Sequence, residues 1–448
     1  MKRMMIAAVA AALLLLTGCG NSLLAEKQER AELSAPTLVP DIRIPPETSS
    51  TQAPEPGQEQ ETGVPAGFRP VVGTDDHIGT YSAYACETDT TLYFSPIAFL
   101  RSRLMYVDKA TGICGPLCGK PECSHTGRDC NAHVDAIASG LTISGERLYW
   151  MDLNMDRAGH FWSIQSCALD GSQRKTEALL ADELTDSFYG RFMLDGSLAY
   201  CYGYQRFVSG GEAGVRARVY AIDLRSGKTA SLMEAETVGV SAVVQLHIMG
   251  NTVYCMFFSY DNASLDSDTE TEQTSYHLNF YRWDRTELRA EKIFDRDINF
   301  EVWEFRATEE GLLVSEATLF TDLSVYLADP YTGTVRKWMD WSMDEGYISS
   351  VTFTEEYMGG FGTDGDNLPY VWIRDYTGNT VLRQTILLDF MRPGTVYGRD
   401  YYLLDRDTLY YAVMDFDRSA VLHLVAVPLD GSGARIIWSG ESDRNGGG

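Results

Sequence analysis

Histidine is scarce in this chain, with 7 in 448 residues, and basic residues are outnumbered, 37 Lys and Arg against 63 Asp and Glu. So few imidazoles leave little material for a centre built on several histidines. A net charge of −26 repels phosphate backbones and anionic head groups, so no nucleic-acid partner is expected. No run of eighteen apolar residues occurs, and no spanning helix is expected. Helical periodicity is nowhere sustained. The G-x-S-x-G elbow, the H-E-x-x-H pair, the phosphate-binding glycine loop and the C-x-x-C-H haem signature are all missing, which removes the usual anchors of hydrolase, nucleotide and haem readings. A hydrophobic content of 44% nevertheless excludes wholesale disorder.

What is present begins with an address. Met1-Lys2-Arg3 is a positive n-region, and Met4 to Leu16 is an apolar run of signal-peptide length. Leu16-Thr17-Gly18-Cys19 then resembles the lipobox of bacterial lipoproteins. Residues 1–18 are thus read as a lipoprotein signal peptide and Cys19 as the lipidation site. Two or three acyl chains, palmitate among them, anchor stably where a single chain binds only marginally. Residues 19–68 carry seven prolines, Pro36 to Pro65, among Glu, Gln, Ser and Thr, and predict a disordered tether with a span on the order of 40 Å. Residues 441–448 predict a disordered tail.

Between 69 and 440 the chain repeats. Seven acidic turns follow strand-like stretches, at Asp108, Asp170, Asp223, Asp284, Asp329, Asp375 and Asp430, spaced 45 to 62 residues apart. Each joins Asp to small, hydroxyl or Gly residues, the chemistry of a hairpin turn. A second turn precedes an aromatic strand upstream of several of them, as in Gly145-Glu146-Arg147-Leu148-Tyr149-Trp150 and Asp195-Gly196-Ser197-Leu198-Ala199-Tyr200. Strand, turn, strand, loop, strand, acidic turn, strand makes a four-stranded meander. The expected fold is an all-β β-propeller with seven four-stranded blades, six or eight being the alternatives.

The lipobox, the Pro-rich tether, the seven repeat units and Pro116-Leu117-Cys118-Gly119-Lys120-Pro121-Glu122-Cys123-Ser124-His125 together resemble a family of β-propeller lipoproteins of Gram-positive (Firmicutes-type) bacteria, a domain family of unknown function. The resemblance implies an anchored extracytoplasmic propeller and lends no catalytic residue. It places the chain on the outer face of the cytoplasmic membrane, or on the outer membrane in a Gram-negative source.

One dense chemical cluster stands out. Cys114, Cys118, Cys123 and Cys130 fall within seventeen residues, with His125 and His133 interleaved. Cys118, Cys123, His125 and Cys130 offer three thiolates and an imidazole in one loop, a ligand set for one structural Zn²⁺, to which Cys114 and His133 are possible additions. The same cysteines also suit disulfides, with three pairings open, because exported proteins staple small loops that way. Cys86, Cys167, Cys201 and Cys255 lie in strand-like runs and are read as small buried hydrophobes.

Trp338, Trp341 and Trp303, the last beside Glu301 and Glu304, are the aromatics to inspect for a sugar or peptide platform. Two functions are carried forward. One is a lipid-anchored binding or scaffold module for an extracellular peptide, glycan or envelope protein. The other is a propeller glycosidase or lyase with paired carboxylates in a central pocket.

Overall fold

The computed structural model describes residues 64–440 except 66–67, 75–76, 80–84, 96–102, 136–137, 157–158, 181–187, 210–211, 240, 262–274, 318–322, 342–346, 392–397, 405–406 and 416–420. The signal peptide, Cys19, most of the tether and the 441–448 tail lie outside the described residues. Among those described there is no α-helix, and no helix long and apolar enough to cross a membrane.

The strands form seven antiparallel sheets, which settles the blade number. Blade one comprises Ala85–Glu87, Thr91–Phe94, Met105–Asp108 and Cys114–Pro116. Blades two to seven run from Ala138 to Leu179, Phe188 to Val238, Ser241 to Ile298, Glu301 to Trp341, Tyr347 to Thr385 and Gly398 to Gly440. First strands touch the first strands of neighbouring blades in five seams, that of blades one and seven included, and the second strand of blade three meets the first of blade four, so first strands ring the axis and the fourth strands are outermost. Each blade is a simple meander, so its strand 1–2 and 3–4 turns share one face, the turn face. Its 2–3 hairpins and the blade-to-blade connections share the other, the loop face.

All seven acidic turns join third to fourth strands. In each, the Asp carboxylate accepts from a backbone N–H two or three residues on, as from Thr111 to Asp108 at 2.7 Å, Ser172 to Asp170 at 2.8 Å and Thr377 to Asp375 at 2.9 Å. The side chain replaces a backbone acceptor and fixes the reversal, which explains why Asp recurs there. In blades two to seven the pairing of third and fourth strands slips by one residue, for example between Val219 and Tyr220. Such a bulge increases local twist and lets the outer strand splay.

Seven hydrophobic clusters fill the seams, one between each pair of neighbouring blades. Alternate residues face opposite neighbours, so both faces of each blade must be apolar. That is why the strands read as dense aromatic and β-branched runs. Among the described residues, blades one and seven share no strand. Their seam closes by packing of Leu92, Phe94 and Val107 against Tyr410, Leu424 and Ala426.

The described structure begins just ahead of residue 69, where the propeller was expected to start. Phe68 is buried in the seam between blades three and four, where its ring gains more from burial than a tether position offers. From there the chain crosses the turn face, exchanging hydrogen bonds between Val71 and Ser197, and His77–Gly79 then pairs with Ser241–Met249 as a fifth strand on the inner edge of blade four.

Candidate metal centre

Residues 117–131 are an excursion from the outer edge of blade one. The outer strand ends at Pro116, and the chain leaves and returns so that Leu104 donates to the Ala132 carbonyl at 2.8 Å while its own carbonyl accepts from Leu117. Arg103 and His133 then form an isolated antiparallel bridge. The loop therefore sits at the rim, away from the axis.

Within it, two turns present the sulfurs. Cys123 N–H closes on the Lys120 carbonyl around Pro121 and Glu122, and Cys130 N–H on that of Gly127. Proline pre-sets the backbone angle that the first of these turns requires. His125 takes φ of 58°, a left-handed conformation seldom adopted by residues other than glycine, which turns its ring back toward Cys130, with Nδ1 3.5 Å from Sγ. The donor atoms of Cys118, Cys123, His125 and Cys130 all lie within 4.8 Å of one another.

This donor set fits zinc. At Zn–S of about 2.3 Å, a tetrahedral site places sulfurs about 3.8 Å apart, so only a small contraction separates this arrangement from a ligand cage. Burial alone pushes the Cys118 thiol up, but hydrogen bonds from the Lys120 and Asn131 N–H groups and the neighbouring thiols bring it below its ordinary value. Cys130, the most buried member, is pushed up to about 11 by burial, with the Ala132 N–H working against the rise. Backbone donors aimed at sulfur stabilise thiolate, the form a metal requires.

The two possible additions stand elsewhere. Cys114 is in the outer strand of blade one, packed against the seam with blade seven, its thiol pushed up to about 12 by burial. His133 Nε2 lies 3.1 Å from the Asp135 carboxylate. With Cys114 removed, three thiols and an imidazole converge, an odd number for disulfides and a complete set for zinc. Glu122 is exposed. Cys167, Cys201 and Cys255 are buried in strands, as read from their surroundings, and Cys86 is half-buried.

The aromatic candidates divide. Trp341 is wholly buried, Trp338 packs against Tyr376 in the same seam, and Trp303 sits at a bulge in the inner strand of blade five. That bulge precedes Glu304, whose carboxylate accepts from the Thr352 hydroxyl of blade six. Burial pushes the Glu304 carboxyl up to about 7, against the opposing pull of the Thr352 hydroxyl and the Arg191 charge from blade three. Glu301 is also raised by burial.

Two features had no signal in the sequence. Asp195 and Arg285, ninety residues apart, form a buried ion pair whose members also hold Gly73, through the Gly73 N–H to Asp195 at 2.6 Å and Arg285 Nη2 to the Gly73 carbonyl at 3.0 Å. Arg174 of blade two donates to carbonyls of the metal loop. The Asp195-Gly196-Ser197 turn was legible as a turn, but its partners are set by the closing of the ring.

The chain is thus a seven-bladed β-propeller with a Cys₃His cluster on its rim. No protein-family model and no curated protein matches it. Among solved structures it is similar to an acylaminoacyl peptidase of Pyrococcus horikoshii, at 12% identity and a TM-score of 0.46, covering 80% of this chain and 53% of that one, so it spans about half that peptidase. It is also similar to a periplasmic gluconolactonase of Pseudomonas aeruginosa, at 12% identity and a TM-score of 0.46, covering 81% and 97% of the two chains. An oligogalacturonate lyase in complex with manganese matches at 13% identity and a TM-score of 0.41, covering 80% and 98%.

Proposed function

We propose that this propeller is a lipid-anchored, extracytoplasmic binding or scaffold module, held to the membrane through Cys19 and stapled at its rim by one structural zinc on Cys118, Cys123, His125 and Cys130. The projecting hairpin of blade three carries the binding half of this reading. Its second and third strands, Leu198–Ser209 and Glu212–Asp223, are the longest among the described residues and stay paired as far as Ser209 and Glu212, on the loop face. The hairpin presents Val208 at 76% exposure, and Arg216 stacks over Phe207 at 5.2 Å while pairing with Glu236. An exposed apolar tip rimmed by charge suits a peptide, glycan or envelope protein. Residues 71–73 cross the opposite, turn face, so the hairpin and this segment lie on different faces of the ring.

A second reading, a glycan-cleaving propeller, is favoured by Glu304, a carboxyl raised near neutrality beside the axis, with Glu301 on the same strand. The test uses whole cells. Cys19→Ala is expected to release the protein into the medium, and Val208→Asp with Arg216→Glu to abolish surface cross-linking of the anchored protein to its partner. Membrane retention of the Cys19→Ala chain defeats the anchor, and an unchanged cross-linking pattern for the hairpin variant defeats the binding role. Turnover of an anionic or neutral glycan that is lost in Glu304→Gln favours the enzyme instead.

A further inference from the structure

We propose that Arg174 and Asp152 of blade two are positioning residues for the metal loop, so that zinc loading bolts the seam between blades one and two. The inference rests on the zinc reading above. Blade one has the least means of holding itself: its four strands have 3, 4, 4 and 3 residues. Its seam with blade two takes Leu117 and Val134 from the two ends of the Cys/His excursion. A blade this small needs a staple, and the excursion supplies one only where it is fastened to a neighbour.

The fastening is visible. Arg174 Nη1 donates to the carbonyls of Asn131 and His133, at 3.2 Å to Asn131. Nη2 lies 3.6 Å from the wholly buried Asp152 carboxylate, and the guanidinium stands 5.2 Å over the Trp150 ring. The Asn131 carbonyl belongs to the peptide unit whose N–H, on Ala132, points at the Cys130 sulfur. The guanidinium therefore polarises the peptide that donates to a metal ligand, and Asp152 and Trp150 fix the guanidinium.

Backbone contact completes the seat. A side chain on Gly119 would stand 2.9 Å from the Ser172 nitrogen, and one on Gly171, at φ of 76°, would stand 2.5 Å from the Leu117 carbonyl carbon. Only glycine lets the loop and the blade-two turn approach this closely. Asn131 Nδ2 adds a bond to the Gly171 carbonyl at 2.8 Å.

The experiment titrates the full-length protein with Zn²⁺ against a competing chelator and melts it with and without the metal. The unsubstituted chain is expected to bind one equivalent. Arg174→Gln is expected to weaken zinc about tenfold, the usual effect of losing an outer-sphere partner, and to shrink the zinc-induced rise in Tm. Arg174→Lys keeps a cation beside Asp152 without the planar fork, and serves if the Gln variant misfolds; an intermediate loss is expected. Asp152→Asn is expected to follow Arg174→Lys, since it acts through the guanidinium. Unsubstituted protein that binds no zinc overturns the zinc reading and the bolt together. Zinc bound by all variants within twofold of the unsubstituted affinity overturns the bolt alone.

Discussion

Single residues hold the N-terminal segment to the ring. Asp195 and Arg285 are both buried, and their pairing is bidentate, with Arg285 Nε 2.8 Å from the second Asp195 oxygen. A buried pair of this kind adds little net stability over apolar residues of the same shape, but removing one member leaves a desolvated charge. Asp195→Ala is therefore expected to cost about 3–5 kcal/mol in urea unfolding, whereas Asp195→Leu combined with Arg285→Met recovers most of the loss. Equal costs for the single and double substitutions would mean that the Gly73 contacts, not the charge pairing, carry the effect. The pair was invisible in the sequence, since an Asp in one turn and an Arg ninety positions on in another carry no signal that the fold will bring them together.

Individual turns, by contrast, were legible one by one, because an Asx turn is made within four or five residues. The element-scale consequence is a pH dependence. Asp375 is half-buried at the end of its strand, and hydrogen bonds from Thr377 and Asn379 lower its pKa from 3.8 to about 2. Its folded pKa lies below the unfolded one, so its contribution is complete above about pH 4 and is lost as pH falls toward 2. The other six turn aspartates are lowered in the same direction by the same local bonds, though burial opposes the shift, most of all at Asp223. Asp375→Ala should lower the urea midpoint by a near-constant amount above about pH 4 and flatten the acid limb of the profile between about pH 4 and pH 2, where the two proteins converge. A profile that stays parallel to that of the unsubstituted protein would remove the carboxylate from the turn's energetics. The same locality explains what was missed: His77–Gly79 has three residues and no turn of its own, so only the exposed inner edge of blade four defines it as a strand.

At the scale of the whole molecule, the described residues close the ring by packing of side chains between blades one and seven. In other seams the chain passes from one blade to the next, but blades one and seven join the first and last blades with no strand exchanged between them among the described residues. Phe94 is wholly buried there and meets the Trp438 ring edge-on, centroids 5.4 Å apart. The seam between blades three and four is lined by a larger cluster, which includes Phe257. Truncating either phenylalanine removes a comparable buried volume, so Phe94→Ala and Phe257→Ala should each cost about 3–5 kcal/mol of global stability. Their local effects should differ. A lesion in the closing seam frees two chain ends from each other, whereas one between covalently consecutive blades leaves both neighbours tethered. Hydrogen exchange is therefore expected to quicken selectively in blades one and seven of Phe94→Ala, while Phe257→Ala quickens blades three and four without opening the closing seam. Uniform acceleration around the ring in both variants would show that the propeller unfolds as one cooperative unit, with no weak point where the chain ends meet.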